Sequence, residues 1–278
     1  MKTKSTPAAR PKKSARAARA TAPGLSARGS FPVIASAASA GGLKALSVIL
    51  GALPADFPAA ITVVMHLAPD HESILAEILH RRTRLAVKQA HTGDVLRRAS
   101  VFIAPPNHHL LVAKGGRLEL SSSAAEKIHH ARPSAEPLFA SVAAVYKTNA
   151  IAVVLTGGDG DGSFGVQIIK EQGGQVIAQD RPTSEDFSMP ETSIETGDVD
   201  FILPLDEIAP KLMELVERGV HAASSSVSPK PSELAESTGD RELKRPEGRA
   251  PARRTQSDSP ARRRYAAGTK AAMIQRRK

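Results

Sequence analysis

The sequence predicts an α/β protein, with a mostly parallel sheet covered by helices on both faces and one antiparallel hairpin. Three observations predict it. Short runs rich in Val, Ile and Ala alternate with stretches of helical periodicity about 10–15 residues long, the pattern of βαβ units. The run Ile151–Leu155 is apolar throughout, and Val33–Ala38 and Ile61–Met65 carry one hydroxyl residue each, the composition of strands buried on both faces. One pair of runs, His109–Ala113 and Arg117–Leu120, is joined by Lys114-Gly115-Gly116, whose glycines suit a tight reversal.

The elements follow in order. Val33–Ala38 reads as a buried strand, and Gly41-Gly42 opens a helix with Leu43, Leu46, Ile49 and Leu50 on one face. Ile61–Met65 is a second strand, followed by a helix from about Asp70 through Ile74, Leu75, Ile78 and Leu79. Leu85–Gln89 and Val101–Ile103 are further strands, and the hairpin comes next. Ser134–Tyr146 is helical, with Leu138, Val142 and Val145 in phase. Ile151–Thr156 is an apolar strand, Ser163–Gln172 a helix, Gln175–Gln179 and Phe201–Leu203 strands, and Asp206–Arg218 a closing helix.

Charge divides the chain into three regions. The 278 residues carry 38 Lys+Arg against 28 Asp+Glu, a net +10. Residues 1–30 hold eight basic and no acidic side chains; residues 219–278 hold fourteen basic and six acidic. The body, 31–218, is left with 16 basic and 22 acidic residues, so it is acidic. Both ends are rich in Ala, Ser, Pro, Lys and Arg and poor in large apolar residues. Disordered basic tails are expected there, because too little apolar surface exists to offset the entropy of ordering.

Composition excludes several functions. There is no cysteine, hence no disulfide scaffold, thiolate metal site or cysteine nucleophile, which fits a reducing cytoplasmic setting. Aromatics are 3% of residues with no Trp, too few to build the stacking platforms of single-strand binding. No apolar run approaches the roughly 20 residues that span a bilayer. The basic start followed by Phe31-Pro32-Val33-Ile34-Ala35-Ser36-Ala37 mimics a targeting sequence, but it reads better as the first strand.

In an open parallel sheet, sites form beyond the carboxyl ends of the strands. Three such ends carry reactive side chains. Ser39 lies just past Val33–Ala38, His66 ends Ile61–Met65, and Asp161 lies in Thr156-Gly157-Gly158-Asp159-Gly160-Asp161-Gly162, just past Ile151–Leu155. A hydroxyl, an imidazole and a carboxylate on one edge are what acyl transfer by a serine nucleophile requires. Backbone N–H groups around Ala40, Gly41 and Gly42, in the first turn of a helix, would stabilise an oxyanion. Plainer readings stand beside this one. A Ser in a Gly-rich βα turn is often an anion contact, and a His ending a strand is often merely hydrogen-bonded.

Other signals are weaker. The G-x-G-x-x-G fingerprint, the phosphate-binding P-loop and the G-x-S-x-G elbow are absent. Counting an EF-hand loop from Asp159 puts Phe164 at the required Gly and Lys170 at the required Glu. The pairs His108-His109 and His129-His130 are adjacent, so neither shares one face of an element, and no metal site is expected.

At these residues the chain resembles the catalytic domain of the chemotaxis protein-glutamate methylesterases, the CheB-type methylesterase domain. The resemblance spans about 31–218. It rests on Ser39-Ala40-Gly41-Gly42-Leu43, Met65-His66-Leu67-Ala68-Pro69, Ile103-Ala104-Pro105-Pro106-Asn107, Arg132-Pro133-Ser134, Leu155 through Gly162, and Ile177-Ala178-Gln179-Asp180 followed by Met189-Pro190. It implies a doubly wound, Rossmann-like sheet with an antiparallel hairpin, and a Ser-His-Asp triad falling on Ser39, His66 and Asp161. The implied substrate is the methyl ester of glutamyl side chains on methyl-accepting chemotaxis receptors. Deamidation of receptor glutamines is a second implied activity, and no cofactor is implied.

Departures from the family pattern limit the carry-over. The basic residues 1–30 stand where two-domain members carry a phosphorylated receiver, so control by aspartyl phosphorylation is not expected. Ala37 replaces a Gly often found two residues before the nucleophile, and Ala40 replaces a Thr that some members place beside it. Gly158, a candidate oxyanion group, stands where many members have Met or Thr. A non-catalytic methylesterase-like module, docking an acidic partner through its basic tails, is the alternative; retention of all three triad residues argues against it. Nucleic-acid binding would rest on the tails alone, and the acidic body would oppose it.

Overall fold

The computed structural model describes residues 31–66, 73–122, 126–128 and 131–225, with the side chains of 219–225 outside that description. The expected tail 1–30, residues 226–278, the His129-His130 pair and residues 70–72 of the expected second helix all lie outside the described residues.

Seven parallel strands form one sheet in the order β3-β4-β2-β1-β7-β8-β9. They are β1 (Val33–Ala38), β2 (Ala60–Met65), β3 (Ala86–Gln89), β4 (Ser100–Ile103), β7 (Ala150–Val154), β8 (Gln175–Gln179) and β9 (Phe201–Leu203). The two remaining strands, β5 (Leu110–Ala113) and β6 (Arg117–Leu120), pair antiparallel as the predicted hairpin. The helices are α1 (Gly42–Ala52), α2 (Leu75–His80), α3 (Ala135–Tyr146), α4 (Ser163–Glu171), α5 (Ser188–Glu195) and α6 (Leu205–Ser225).

Strand chemistry explains the layering. Every residue of β1 and of β7 is buried, so both faces of the central strands need cover. Along β1, Ile34 and Ala38 join one core with Leu46 and Leu50 of α1, Leu79 of α2 and Leu212 of α6. Val33, Ala35 and Ala37 join the other, with Leu138 and Phe139 of α3, Val166 of α4 and the hairpin residues Leu110, Val112 and Leu118. The strand's two-residue alternation thus builds two separate cores from one sequence run.

The winding reverses between β1 and β7. From β1 the chain builds outward to β2, passes to the edge strand β3 and comes back to fill the gap with β4, then crosses to the far side of β1 and builds outward through β7, β8 and β9. That reversal opens a crevice beyond the carboxyl ends of β1 and β7. Ser39, His66 and Asp161 lie beyond β1, β2 and β7, three neighbouring strands at this point.

Two features depart from the sequence reading. Helix α5 was not expected: only Met189, Pro190 and Ser193 of it are buried, so its apolar pattern is too thin to show a period. The closing helix continues past Arg218 to Ser225, so the boundary expected between 218 and 219 falls inside α6. Its apolar residues Ile208, Leu212, Leu215 and Val216 keep the helical spacing that anchors it.

Candidate active site

The β1–α1 turn brings Ser39 to the crevice. Gly41, with φ +76, takes the left-handed conformation that lets the strand reverse into α1. The Ser39 N–H donates to the Thr156 carbonyl (2.9 Å) and the His66 N–H to the Ala38 carbonyl (3.1 Å), so the loops after β1, β2 and β7 are stitched together by main chain. Gly157 makes the approach possible: a Cβ there would sit 2.9 Å from Ser39 Cβ and 2.1 Å from Met189 Sδ. The Thr156 hydroxyl ties in a fourth segment. It donates to the Ala40 carbonyl (2.9 Å) and accepts from the N–H groups of Glu185 (3.1 Å) and Asp186 (2.9 Å).

The structure brings His66 and Asp161 together, with His66 Nε2 2.9 Å from Asp161 Oδ2. Asp161 is fully buried. Its carboxylate also accepts from the Ser134 hydroxyl (2.5 Å) and the Ala135 N–H (2.6 Å), at the start of α3. These donors fix the position of the carboxylate at the N-terminal end of α3.

A further layer supports α3. His109 is buried, accepts the Ser134 N–H at Nδ1 (3.1 Å) and donates from Nε2 to the Glu126 carbonyl (2.9 Å). Burial pulls its pKa below the usual value, in keeping with this neutral tautomer. Glu136 is buried and accepts from the N–H groups of Gly162, Phe164 and Gly165, capping α4. Burial, helped by the nearby Asp161 charge, pushes its pKa from 4.5 up to about 7.

The second ring nitrogen of His66 is taken as well. Its Nδ1 lies 3.1 Å from Asp159 Oδ2, a contact the sequence did not anticipate. Among the described residues, Ser39 Oγ has no hydrogen-bond partner. Burial alone would lower the His66 pKa, but hydrogen bonds and charges from Asp159 and Asp161 outweigh it and raise the pKa from 6.5 to about 9.

The expected oxyanion groups separate. The Gly42 N–H donates to the Ser39 carbonyl (2.8 Å), so it is not a free donor, which corrects that expectation. Ala40 and Gly158 are exposed at the crevice and Gly41 is half-buried. The Asp186 carboxylate crowds Gly158, 2.8 Å from where a Cβ would stand. His108 and His109 do diverge: His108 Nδ1 donates to the Pro106 carbonyl, away from His109's partners. Among the described residues, no group of three or more His, Asp or Glu side chains is arranged to hold a metal ion. No described helix is long and apolar enough to cross a membrane.

The family described as CheB methylesterase matches residues 34–212. The chain belongs to the CheB methylesterase family. Its relatives agree. An Anaeromyxobacter dehalogenans protein named protein-glutamate methylesterase/protein-glutamine glutaminase 2 is 43% identical over 198 residues, covering 71% of this chain and 56% of that protein. A Thermotoga maritima protein-glutamate methylesterase/protein-glutamine glutaminase is 38% identical over 185 residues, covering 66% and 54%. The solved Thermotoga maritima CheB methylesterase catalytic domain superposes with a TM-score of 0.64 at 38% identity, covering 67% of this chain and 100% of that one. The chain spans about half the length of the curated relatives it matches.

Within this CheB methylesterase fold, sequence reasoning passed over Asp159, Ser134, His109, Glu136 and Thr156 as site residues. Arg132-Pro133-Ser134 was visible as a motif, but the contact of Ser134 with Asp161 joins residues 27 positions apart. In the sequence Asp159 stands out only as the start of a calcium-loop count that fails. The signal that could have found it is its place two residues before Asp161 in a tight Gly-rich loop, on the same strand end.

Proposed function

We propose that the chain is a protein-glutamate methylesterase, a serine-nucleophile carboxylic ester hydrolase acting on methylated glutamyl side chains of methyl-accepting chemotaxis receptors in the cytoplasm. Hydrolysis of receptor glutamine amides at the same centre is part of this reading, since the relatives' names carry both activities. The observation that carries it is the buried Asp161, held by Ser134 and Ala135 and bonded to His66 Nε2, at the strand ends that also present Ser39.

In this mechanism Ser39 Oγ attacks the ester carbonyl while neutral His66 takes its proton. Asp161 fixes the ring and stabilises the imidazolium that forms. The tetrahedral oxyanion is met by N–H groups of the β1–α1 turn and the Gly158 loop. It collapses to the acyl-enzyme as His66 returns the proton to methanol. Water, activated by His66, then releases the free carboxylate and regenerates Ser39. For an amide the leaving group is ammonia.

The test is methanol release from methylated receptor by the full chain. Ser39→Ala is expected to lower it at least about 10³-fold, with an unchanged melting temperature. Undiminished release by this variant would remove Ser39 as nucleophile.

A further inference from the structure

His66 lies between two carboxylates, and the hydrogen positions this demands are informative. A neutral imidazole has one N–H and one lone pair, so it satisfies only one carboxylate. Nε2 lies 2.9 Å from Asp161 and Nδ1 lies 3.1 Å from Asp159, so both contacts are favourable only when both nitrogens carry protons. A ring so occupied has no lone pair for the Ser39 proton. Because Asp161 holds Nε2, Nδ1 is the nitrogen left to serve Ser39, and Asp159 occupies it.

Asp159 is held in place for this contact. Its Oδ1 accepts the Asp161 N–H (3.1 Å), closing a small turn in the β7–α4 loop and aiming Oδ2 at the ring. Unlike Asp161, its side chain is 35% exposed, within reach of solvent and of anything entering the crevice.

We propose that Asp159 is a positioning residue that clamps His66 in a double-carboxylate bridge, competing with Ser39 for Nδ1, so that catalysis requires the His66–Asp159 contact to be released. The proposal rests on the methylesterase reading for its catalytic consequence, and on the bridge geometry for its existence. An uncharged methyl ester entering beside Ser39 would desolvate the exposed Asp159 and offers it no counter-charge. A substrate carrying a cationic side chain next to the ester would instead draw Asp159 off the ring.

Among the described residues, the charges that act on the ring are those of Asp159 and Asp161, and the cation of Arg132 acts on His109 behind them. Asp159 and Asp161 touch it from the β7–α4 loop. Asp186, from the β8–α5 loop, lies close enough to Asp159 to act on it electrostatically and is itself held by Ser188. Glu136 of α3 stands behind Asp161, and buried His109 also feels the Asp161 charge. Ser39, from the β1–α1 turn, is uncharged. The raised pKa of His66 agrees with the bridge.

The experiment titrates His66 in the full-length chain and in Asp159→Asn by imidazole NMR, with the resonance assigned through His66→Gln, and follows the pH dependence of kcat/KM for a methyl ester in the same two chains. In the wild type, His66 is expected to titrate well above its ordinary value. In Asp159→Asn, the NMR midpoint and the acid limb of kcat/KM both move down by at least about one pH unit, and kcat/KM at pH 7 rises several-fold. A wild-type His66 titrating near 6.5, or an acid limb that does not move in Asp159→Asn, overturns the proposal. The NMR arm needs no activity, so it decides the bridge even if Ser39→Ala were to show that this chain is not a serine esterase. Should Asp159→Asn fold poorly, Asp159→Ser is titrated and assayed in its place, with the same two outcomes.

Discussion

Asp159 and Asp161 stand two positions apart in one Gly-rich loop, and both contact the ring of His66, yet the fold treats them in opposite ways. Asp161 is fully buried and accepts a hydroxyl, a main-chain amide and Nε2, with the start of α3 behind it. Asp159 is about a third exposed, and its Oδ1 accepts an N–H of its own loop. Removing a buried, fully bonded carboxylate leaves three donors facing nothing, whereas removing an exposed one lets water fill in. The difference separates a fixed orienting group from a releasable one. Residues of one type at one strand end therefore have unlike roles, set by what surrounds them.

The comparison is tested most severely at Asp161. Asp161→Asn is expected to lower kcat for methanol release by about 10³- to 10⁴-fold, because the amide cannot hold His66 in the orientation and tautomer that a base requires. Asp159→Asn is expected to act in the reverse direction near neutral pH. If both substitutions lowered kcat alike at every pH, the two carboxylates would be equivalent and the distinction drawn between them would fail.

A smaller effect appears in folding stability. The His66 pKa is raised from 6.5 to about 9 and that of Glu136 from 4.5 to about 7, so the folded chain binds more protons than the unfolded chain across these windows. Stability from His66 is fully present below pH 6.5 and is lost as pH rises through about 9; for Glu136 the loss runs from pH 4.5 through about 7. These two groups are therefore expected to lower urea midpoints as pH rises from 5 to 9, opposed below pH 6.5 by His109, whose pKa is lowered, with His66 accounting for on the order of 3 kcal/mol. In Asp159→Asn the decline above pH 7 should flatten, while the part below it, which belongs to Glu136, persists. A decline above pH 7 as steep in Asp159→Asn as in the wild type would show that Asp161 alone raises the His66 pKa.

Much of this was legible in the sequence because the signals were local. The apolar runs Val33–Ala38 and Ile151–Leu155 mark buried strands by composition alone, and Ser39, His66 and Asp161 follow strand ends, which a parallel sheet must bring to one edge. What stayed hidden depended on contacts distant in sequence or on the rotation of one ring. Helix α5 is held by Met189 against Gly157, and most of its other residues are polar, so no periodicity announces it. The Gly42 N–H looked free as part of a helix's first turn, but the turn closes on the Ser39 carbonyl. The partner of Nδ1 could not be read at all, since only the packing of the β7–α4 loop brings Asp159 to the ring.

Ser134 sharpens the comparison from the Asp161 side, with the smallest expected effect. Its hydroxyl donates to Asp161 Oδ1 (2.5 Å) and accepts the Glu136 N–H (3.2 Å), so one side chain both caps α3 and steadies the carboxylate. Its own N–H rests on His109 Nδ1, an anchor that Ser134→Ala would keep. The substitution therefore removes a cap, which costs about 1 kcal/mol of stability, and one of the donors to Asp161. The Ala135 N–H, bonded to the same oxygen that holds His66, remains. A fall of only a few-fold in kcat is expected, beside a melting temperature lowered by a few degrees. If Ser134→Ala instead cost as much kcat as Asp161→Asn, the hydroxyl rather than the main chain would be what orients Asp161. Its resemblance to a fixed part of the fold would then end, and it would be as dependent on one side-chain contact as Asp159 is on its turn.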